Sequence, residues 1–326
     1  MGSQACCKQN VASSYKLLKI NQLRETSMSQ KHPIIAVTGS SGAGTSTVKK
    51  AFEHIFFREK IKPVVVEGDS FHAFDRAAMK IEMAKHEEKG NRFFSHFGEN
   101  ANEFGKLAEL FASYADNGSG KKRYYLHSEP EAAEHNARLG VDKNPGEFTP
   151  WEDIESGSDL MFYEGLHGLI KTENTNVAQH VDLGIGVVPI VNLEWIQKIH
   201  RDNTERGYSA EVIVDTIQRR MPDYVNYITP QFSQTDINFQ RVSTVDTSNP
   251  FIARDIPTPD ESFIVIRFKN PTKFGTDFPY LLNMISDSFM SRRNTIVVPG
   301  GKMGLAMEII LTPIIHDMIE KSKKVR

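Results

Sequence analysis

The chain has 326 residues, 39% of them hydrophobic and 25% charged, a balance that excludes a mainly disordered or fibrous protein. Lys and Arg number 39 against 41 Asp and Glu, a formal net charge of −2, which excludes the strongly basic surface that sequence-independent nucleic-acid binding needs. The two cysteines, Cys6 and Cys7, are adjacent, so neither a disulfide framework nor a cysteine zinc site can be built, and no stretch approaches the ~18 apolar residues of a spanning helix.

Residues 1–27 carry no strand or core pattern and no apolar signal-peptide segment. They open Met-Gly, but Cys6 stands where a myristoylation signal has Ser or Thr. They read as a disordered leader or appended extension, with Met28 as an alternative start. Residues 28–326 read as one domain in which strand and helix alternate. Ile34–Val37 is a buried strand ending at Gly39. Val48, Ala51, Phe52, Ile55 and Phe56 then recur at helical spacing. Pro63–Val66 is a second strand, followed by Glu67-Gly-Asp69. The stretch 70–158 is rich in charge, His, Gly and Asn, with a helical fragment at Asn102–Ser113, and reads as a long insertion over the strand ends. Leu160–Tyr163 is a third strand, followed by Glu164-Gly165; Val181–Pro189 holds a fourth and Phe263–Phe268 a fifth. Strand, helix and strand with crossover lengths predict parallel pairing in an α/β sheet. Leu305–Lys321 reads as a helix with a kink or break at Pro313.

Gly39-Ser-Ser-Gly-Ala-Gly-Thr-Ser-Thr47 lies between the first strand and the first helix. Its glycines let backbone N–H groups converge on phosphate oxygens, and the helix N-terminus adds a positive dipole end. The nine residues Gly39, Ser40, Ser41, Gly42, Ala43, Gly44, Thr45, Ser46 and Thr47 form a nucleotide-binding candidate, with Ser46 placed to reach Mg²⁺. The consensus Lys of such loops is Thr45 here. Asp69 and Glu164 end consecutive strands beside this loop, where a carboxylate holds Mg²⁺ or orients an attacking hydroxyl. No guanine-reading N/T-K-x-D is present, which favours ATP. Beyond the fourth strand, Leu193, Ile196 and Ile199 mark the apolar face of a helix. Lys198, Arg201, Asp202 and Arg206 share its other side, as a solvated face or as a cation cluster for phosphate chemistry. His72 and Arg76 follow Asp69 at a spacing that predicts one helical face, and His127 is a further candidate ligand.

Taken together, Gly39–Thr47, Glu67-Gly-Asp-Ser-Phe-His72, Tyr163-Glu-Gly-Leu-His167 and Lys198-Ile-His-Arg-Asp-Asn-Thr-Glu-Arg-Gly-Tyr-Ser-Ala-Glu211 resemble phosphoribulokinase. The likeness is to the bacterial class rather than the plant class and runs from Met28 to about Lys321. It implies a P-loop kinase fold, with a mixed, mostly parallel sheet flanked by helices. It also implies phosphorylation of the C1 hydroxyl of D-ribulose 5-phosphate by MgATP in a cytoplasmic, carbon-fixing enzyme. That class also has Thr at the Thr45 position. The redox cysteines of the plant class are missing, so thioredoxin control is not implied. By the same resemblance Asp69 is the general base, Asp202 a second essential acid, and Glu164 the strand-end acid at the metal. His72, Arg76, Lys198 and Arg206 engage the sugar phosphate, and Arg201 assists in the transition state. The class is oligomeric, activated by NADH and inhibited by AMP, and Arg58, Arg267 and Arg292 fall where it keeps effector-binding cations. Two other readings remain open on the residues: a uridine-kinase-like nucleoside kinase, which needs no clamp for an acceptor phosphate, and a nucleotide-sensing regulatory protein without turnover.

Overall fold

A computed structural model describes residues 31–40, 45–188, 190–205, 207–252 and 255–326, with the backbone alone for 45–47. The expectations for residues 1–27, for Ser41, Gly42, Ala43, Gly44 and Arg206, and for the side chains of Thr45, Ser46 and Thr47 lie outside the described residues.

β1 (Ile34–Thr38) is buried along its length. Successive side chains point to opposite faces, so Ile35 and Val37 join one apolar layer and Ile34 and Ala36 the other. α1 (Thr45–Arg58) follows. Its stripe of Val48, Phe52, Ile55 and Phe56 packs into the first layer, with the rings of Phe52 and Phe162 4.7 Å apart. Burying such a side chain fully contributes about 1.5–3 kcal/mol. β2 (Pro63–Glu67) runs to the sheet edge. The stretch from 68 to 159 spans residues 70–158, where an insertion over the strand ends is expected. It holds α2 (Arg76–Glu88), α3 (Phe104–Asn117), the two-residue strands β3 (Lys121–Lys122) and β4 (Glu152–Asp153), and, between those strands, α4 (Glu129–Leu139). Phe104, Leu107, Leu110, Phe111 and Tyr114 of α3 form the second apolar layer with Ile34, Ala36, Val64, Val66, Met161 and Tyr163.

β5 (Leu160–Gly165), β6 (Leu183–Val188), α5 (Val191–Thr204), α6 (Ala210–Asp223), β7 (Ile237–Ser243), β8 (Ser262–Phe268), α7 (Phe278–Met284), β9 (Phe289–Arg292), β10 (Thr295–Pro299) and α8 (Met303–Val325) complete the chain. The eight-stranded sheet has the order β2-β5-β1-β6-β7-β8-β10-β9. β2, β5, β1, β6 and β7 are parallel to one another. From β8 onward pairing is antiparallel. The parallel expectation therefore holds for the first four predicted strands and not for Phe263–Phe268, which returns antiparallel against β7.

Of the kink or break expected at Pro313, a break is absent: α8 is one helix through that residue. A proline inside a helix costs roughly 3 kcal/mol. Pro313 is exposed, while Ile310, Leu311, Ile314, Ile315, Met318 and Ile319 on both sides of it are anchored in the core, and that packing offsets the cost. β1 lies between β5 on one side and β6 on the other, the strand connection reversing direction at its carboxyl end, which is where sheets of this kind bind ligands.

Candidate active site

Gly39 and Ser40 leave β1 at this point, Gly39 N–H donating to the Gly165 carbonyl at 3.3 Å, and α1 begins at Thr45. The tips of β2 and β5 meet backbone to backbone. A side chain added at Gly165 would come within 2.6 Å of the Gly68 Cα, so both positions are closed to larger residues. Glu164 sits opposite Glu67 in this register. Lys49, one turn into α1 after Thr45, puts its Nζ 2.8 Å from Glu67. Burial would lower the Lys49 ammonium, but Glu67 and then Glu164 raise it. A fixed cation thus stands near the strand-end acids, one turn from where the consensus lysine would be.

Asp69 lies in a short 3₁₀ turn, Gly68–Phe71, and His72 is extended; α2 starts only at Arg76, capped by Asp75. Asp69, His72 and Arg76 therefore do not share the predicted helix face. The tighter turn still brings His72 Nε2 to 3.4 Å from Asp69 Oδ1, and His127 Nε2 reaches 3.8 Å from Oδ2. Arg76 stands apart, exposed, with its side chain against Gly146. Asp69 keeps 42% of its side-chain surface open. Its enclosure by protein would raise the carboxyl, but the His72 hydrogen bond and the charges of His72 and His127 hold it well below the usual carboxylate range.

Two residues not singled out from the sequence hold this turn. Asn102 donates from Nδ2 to the carbonyls of His96 and Gly98 at 2.8 and 2.6 Å. That fixes its Oδ1 as the acceptor facing His72 Nδ1 at 2.8 Å, so Nδ1 of His72 carries a proton and Nε2 is turned to Asp69. Arg123 donates to the carbonyls of Ser70 and His72, both at 2.7 Å. Its guanidinium lies 3.6 Å from the Phe148 ring centroid and 4.6 Å from that of Trp151, a stacked, bidentate arrangement that lysine cannot copy.

On α5, two residues of the predicted polar face are buried. Lys198 is 8% exposed and Asp202 4%, with Nζ to Oδ2 2.5 Å. Arg201 donates to Asp202 Oδ1 from Nη2 at 2.8 Å and Nε at 3.0 Å. Burial, followed by the charge of Arg220, pushes the Lys198 ammonium down to about 8 against the pull of Asp202. The stretch 95–98 joins the two clusters. The His96 ring lies tilted 4.4 Å from that of His72, the Phe97 carbonyl is 3.0 Å from His167 Nε2, and the Phe97 ring lies beneath Arg220. The structure thus gathers Asp69, His72 and His127 on one side and Lys198, Arg201 and Asp202 on the other.

Among the described residues no group of three or more His, Cys, Asp or Glu side chains is arranged to hold a metal ion by itself. The donors present, Asp69 and Glu164, are hard oxygen ligands of the kind that take a Mg²⁺ arriving with its own phosphates. Arg267 and Arg292 line one cavity of about 450 Å³ on the open face of the antiparallel strands, with Asn238, Gln240 and Thr295. Arg58 is on the opposite face of the sheet, bound to Glu308 and Thr312 of α8 at 2.8 Å each. One chain does not bring these three arginines together.

Residues 34–248 match the model of the phosphoribulokinase / uridine kinase family. The chain is 61% identical over 297 residues to a protein named Phosphoribulokinase, chromosomal, from Cupriavidus necator, covering 91% of this chain and 99% of that one. It is 59% identical over 297 residues to the phosphoribulokinase of Nitrobacter vulgaris, covering 91% and 100%. A solved structure of phosphoribulokinase from Rhodobacter spheroides superposes with a TM-score of 0.80 at 55% identity, covering 90% of this chain and 99% of that one. Sequence, sheet order and relatives agree: the chain belongs to the phosphoribulokinase / uridine kinase family.

Proposed function

We propose that this chain is a phosphoribulokinase, transferring the γ-phosphoryl group of MgATP to the C1 hydroxyl of D-ribulose 5-phosphate, the step that supplies ribulose 1,5-bisphosphate for carbon fixation. The observation that supports this reading is an open, strongly acidic carboxylate at Asp69 linked through the 95–98 stretch to the Lys198–Asp202–Arg201 cluster. A phosphoryl transfer needs little covalent help from the protein; it needs a positioned hydroxyl and neutralised charge. In this reading Asp69 accepts the C1 hydroxyl proton, and His72 and His127 hold it ionised. Lys198, Arg201 and Arg206 face the phosphates, and Arg76 turns toward the acceptor phosphate. Ser46 and Glu164 hold Mg²⁺, whose charge balances that of the ATP phosphates. A clamp for the acceptor's own phosphate separates this reading from a nucleoside kinase. In steady-state assays with MgATP, D-ribulose 5-phosphate is turned over, and D-ribulose and uridine each give a kcat/KM at least ~10³-fold lower, the scale of losing two or three charge-assisted contacts. Uridine preferred over ribulose 5-phosphate overturns the reading, and no turnover of either favours a nucleotide sensor.

No helix among the described residues is long and apolar enough to cross a membrane, and the reading places the enzyme in the cytoplasm as a homo-oligomer. It assigns NADH activation and AMP inhibition to Arg58, Arg267 and Arg292. Since the Arg267–Arg292 cavity and Arg58 lie on opposite faces, one effector molecule touches all three only where a second copy brings its Arg58 across. NADH then raises activity without being consumed, and Arg58→Ala, Arg267→Ala and Arg292→Ala each blunt that response. A wild type indifferent to NADH, or three variants that respond normally, contradicts the assignment.

A further inference from the structure

Glu194, Lys198 and Asp202 stand at i, i+4 and i+8 on α5 and so occupy one face. All three are buried. Lys198 and Asp202 pair with each other, and Glu194 does something else. Its Oε1 accepts a short hydrogen bond from Ser40 Oγ, and its Oε2 accepts from the Tyr224 hydroxyl at 3.2 Å. Ser40 is fully buried and directly follows Gly39 at the end of β1. Tyr224 comes from the π-helical turn Tyr224–Ile228 after α6, a geometry that recurs at functional sites. A buried carboxylate 154 residues away in sequence is thus the direct tie between the phosphate-binding segment and the helix that carries the cationic cluster.

We propose that Glu194 is a positioning residue that couples nucleotide occupancy at Ser40 to the placement of Lys198, Arg201 and Asp202, taking up a proton as the nucleotide phosphates enter. The proposal rests on the reading of residues 39–47 as the nucleotide site.

The groups facing Glu194 are Ser40 from the β1 end, Lys198 from its own helix, and Tyr224 and Arg220 from α6 and the turn after it. Arg220 shares a small cavity with Glu194, Lys198, Phe97 and Trp195. Burial pushes the Glu194 carboxyl up to about 7, although Ser40, Tyr224 and Lys198 all oppose it. Negative charge brought beside Ser40 disfavours the carboxylate further, so the bound state holds more protons than the free state. By linkage, nucleotide affinity falls as pH rises from about 7. The bookkeeping of the step is simple: one proton from solvent adds to a Glu194 oxygen. The acid then donates to Ser40 Oγ, and the hydroxyl hydrogen that Ser40 had given to Glu194 becomes available to a phosphate oxygen.

Titration calorimetry of the full chain with MgADP at pH 7.5, in HEPES and in Tris, reads proton uptake from the difference in heat between buffers. The wild type takes up protons on binding, and Glu194→Gln, which keeps the shape but cannot titrate, takes up none. In steady state, Glu194→Ala lowers kcat by ~10–10²-fold, the scale of a misplaced catalytic group, and raises the KM for ribulose 5-phosphate less. Glu194→Gln recovers most of the loss. Equal proton uptake in wild type and Glu194→Gln overturns the proposal, as does a Glu194→Ala enzyme that loses thermal stability with kcat intact. Should Glu194→Ala not fold, the calorimetric comparison decides. A wild type that does not bind MgADP at all overturns the nucleotide reading and the proposal with it, whereas MgADP binding with the same proton uptake in Glu194→Gln as in the wild type overturns the proposal alone.

Discussion

Asp69→Asn lowers kcat by at least the ~10²–10⁴-fold typical of losing a general base, while MgATP binding stays near wild type. The substitution keeps size and leaves His72 and His127 in place, but an amide cannot accept the hydroxyl proton. The position also predicts a pH profile. A base held well below the usual carboxylate range stays ionised as the solution becomes acidic. The limb of kcat/KM that Asp69 contributes therefore lies below the usual carboxylate range, and a fall in rate near pH 7 belongs to another group. The same sign holds for stability: the ionised Asp69 stabilises the fold above the unfolded carboxyl value, and that contribution is lost as pH falls through the lower folded value. Steady-state kinetics across pH 4–9 with nucleotide binding measured on the same sample check both statements. A kcat within tenfold of wild type removes Asp69 from the base role.

Arg201→Ala lowers kcat by ~10²–10³-fold, the scale for removing one preorganised electrostatic stabiliser, and raises the KM for ATP far less. Arg201 is held at two points on Asp202 Oδ1 while Lys198 takes Oδ2, so its guanidinium is oriented before substrate arrives. Arg201→Lys restores little, because one ammonium cannot reproduce the fork. Thr45→Lys does not rescue Arg201→Ala either. The phosphate loop and α5 follow different strands, and Lys49, one turn into the helix after the loop, is engaged by Glu67. If Arg201→Ala changed only the KM for ATP, or if Thr45→Lys restored its kcat, this division between loop and helix would be wrong.

The parallel half of the sheet was legible because its strands are short apolar runs that stop at Gly39, Glu67-Gly68 and Glu164-Gly165, where a buried strand must surrender its backbone to a turn. β7 and β10 were not. Ile237–Ser243 mixes Asn238 and Gln240 with its apolar residues because that side of the strand lines a cavity shared with Arg267, Arg292 and Thr295, and Arg241 is tied instead to Ser262 and Pro257. Thr295–Pro299 is a five-residue apolar run directly before the apolar C-terminal helix, and periodicity cannot split the two. In the site, single residues at strand ends and the α5 motif were readable from local order. The burial of Lys198 and Asp202 was not, since spacing alone describes a solvated face equally well; only the packing of the 95–98 stretch and α6 around them decides it. Asn102, Arg123 and Glu194 were missed for one reason. Each acts through a partner at least 30 positions away, and a lone Asn, Arg or Glu in a helix or loop carries no local sign of such a contact.

The central claim is that the Asp69 turn and α5 together deliver a phosphoryl group to one hydroxyl of ribulose 5-phosphate. ³¹P and ¹³C NMR of the product formed by the full chain from MgATP and ribulose 5-phosphate tests it most directly. The account predicts a sugar bisphosphate with the new ester on C1, formed one for one with ADP and absent from the Asp69→Asn reaction. ADP released without a new sugar ester, or an ester at a carbon other than C1, would contradict it.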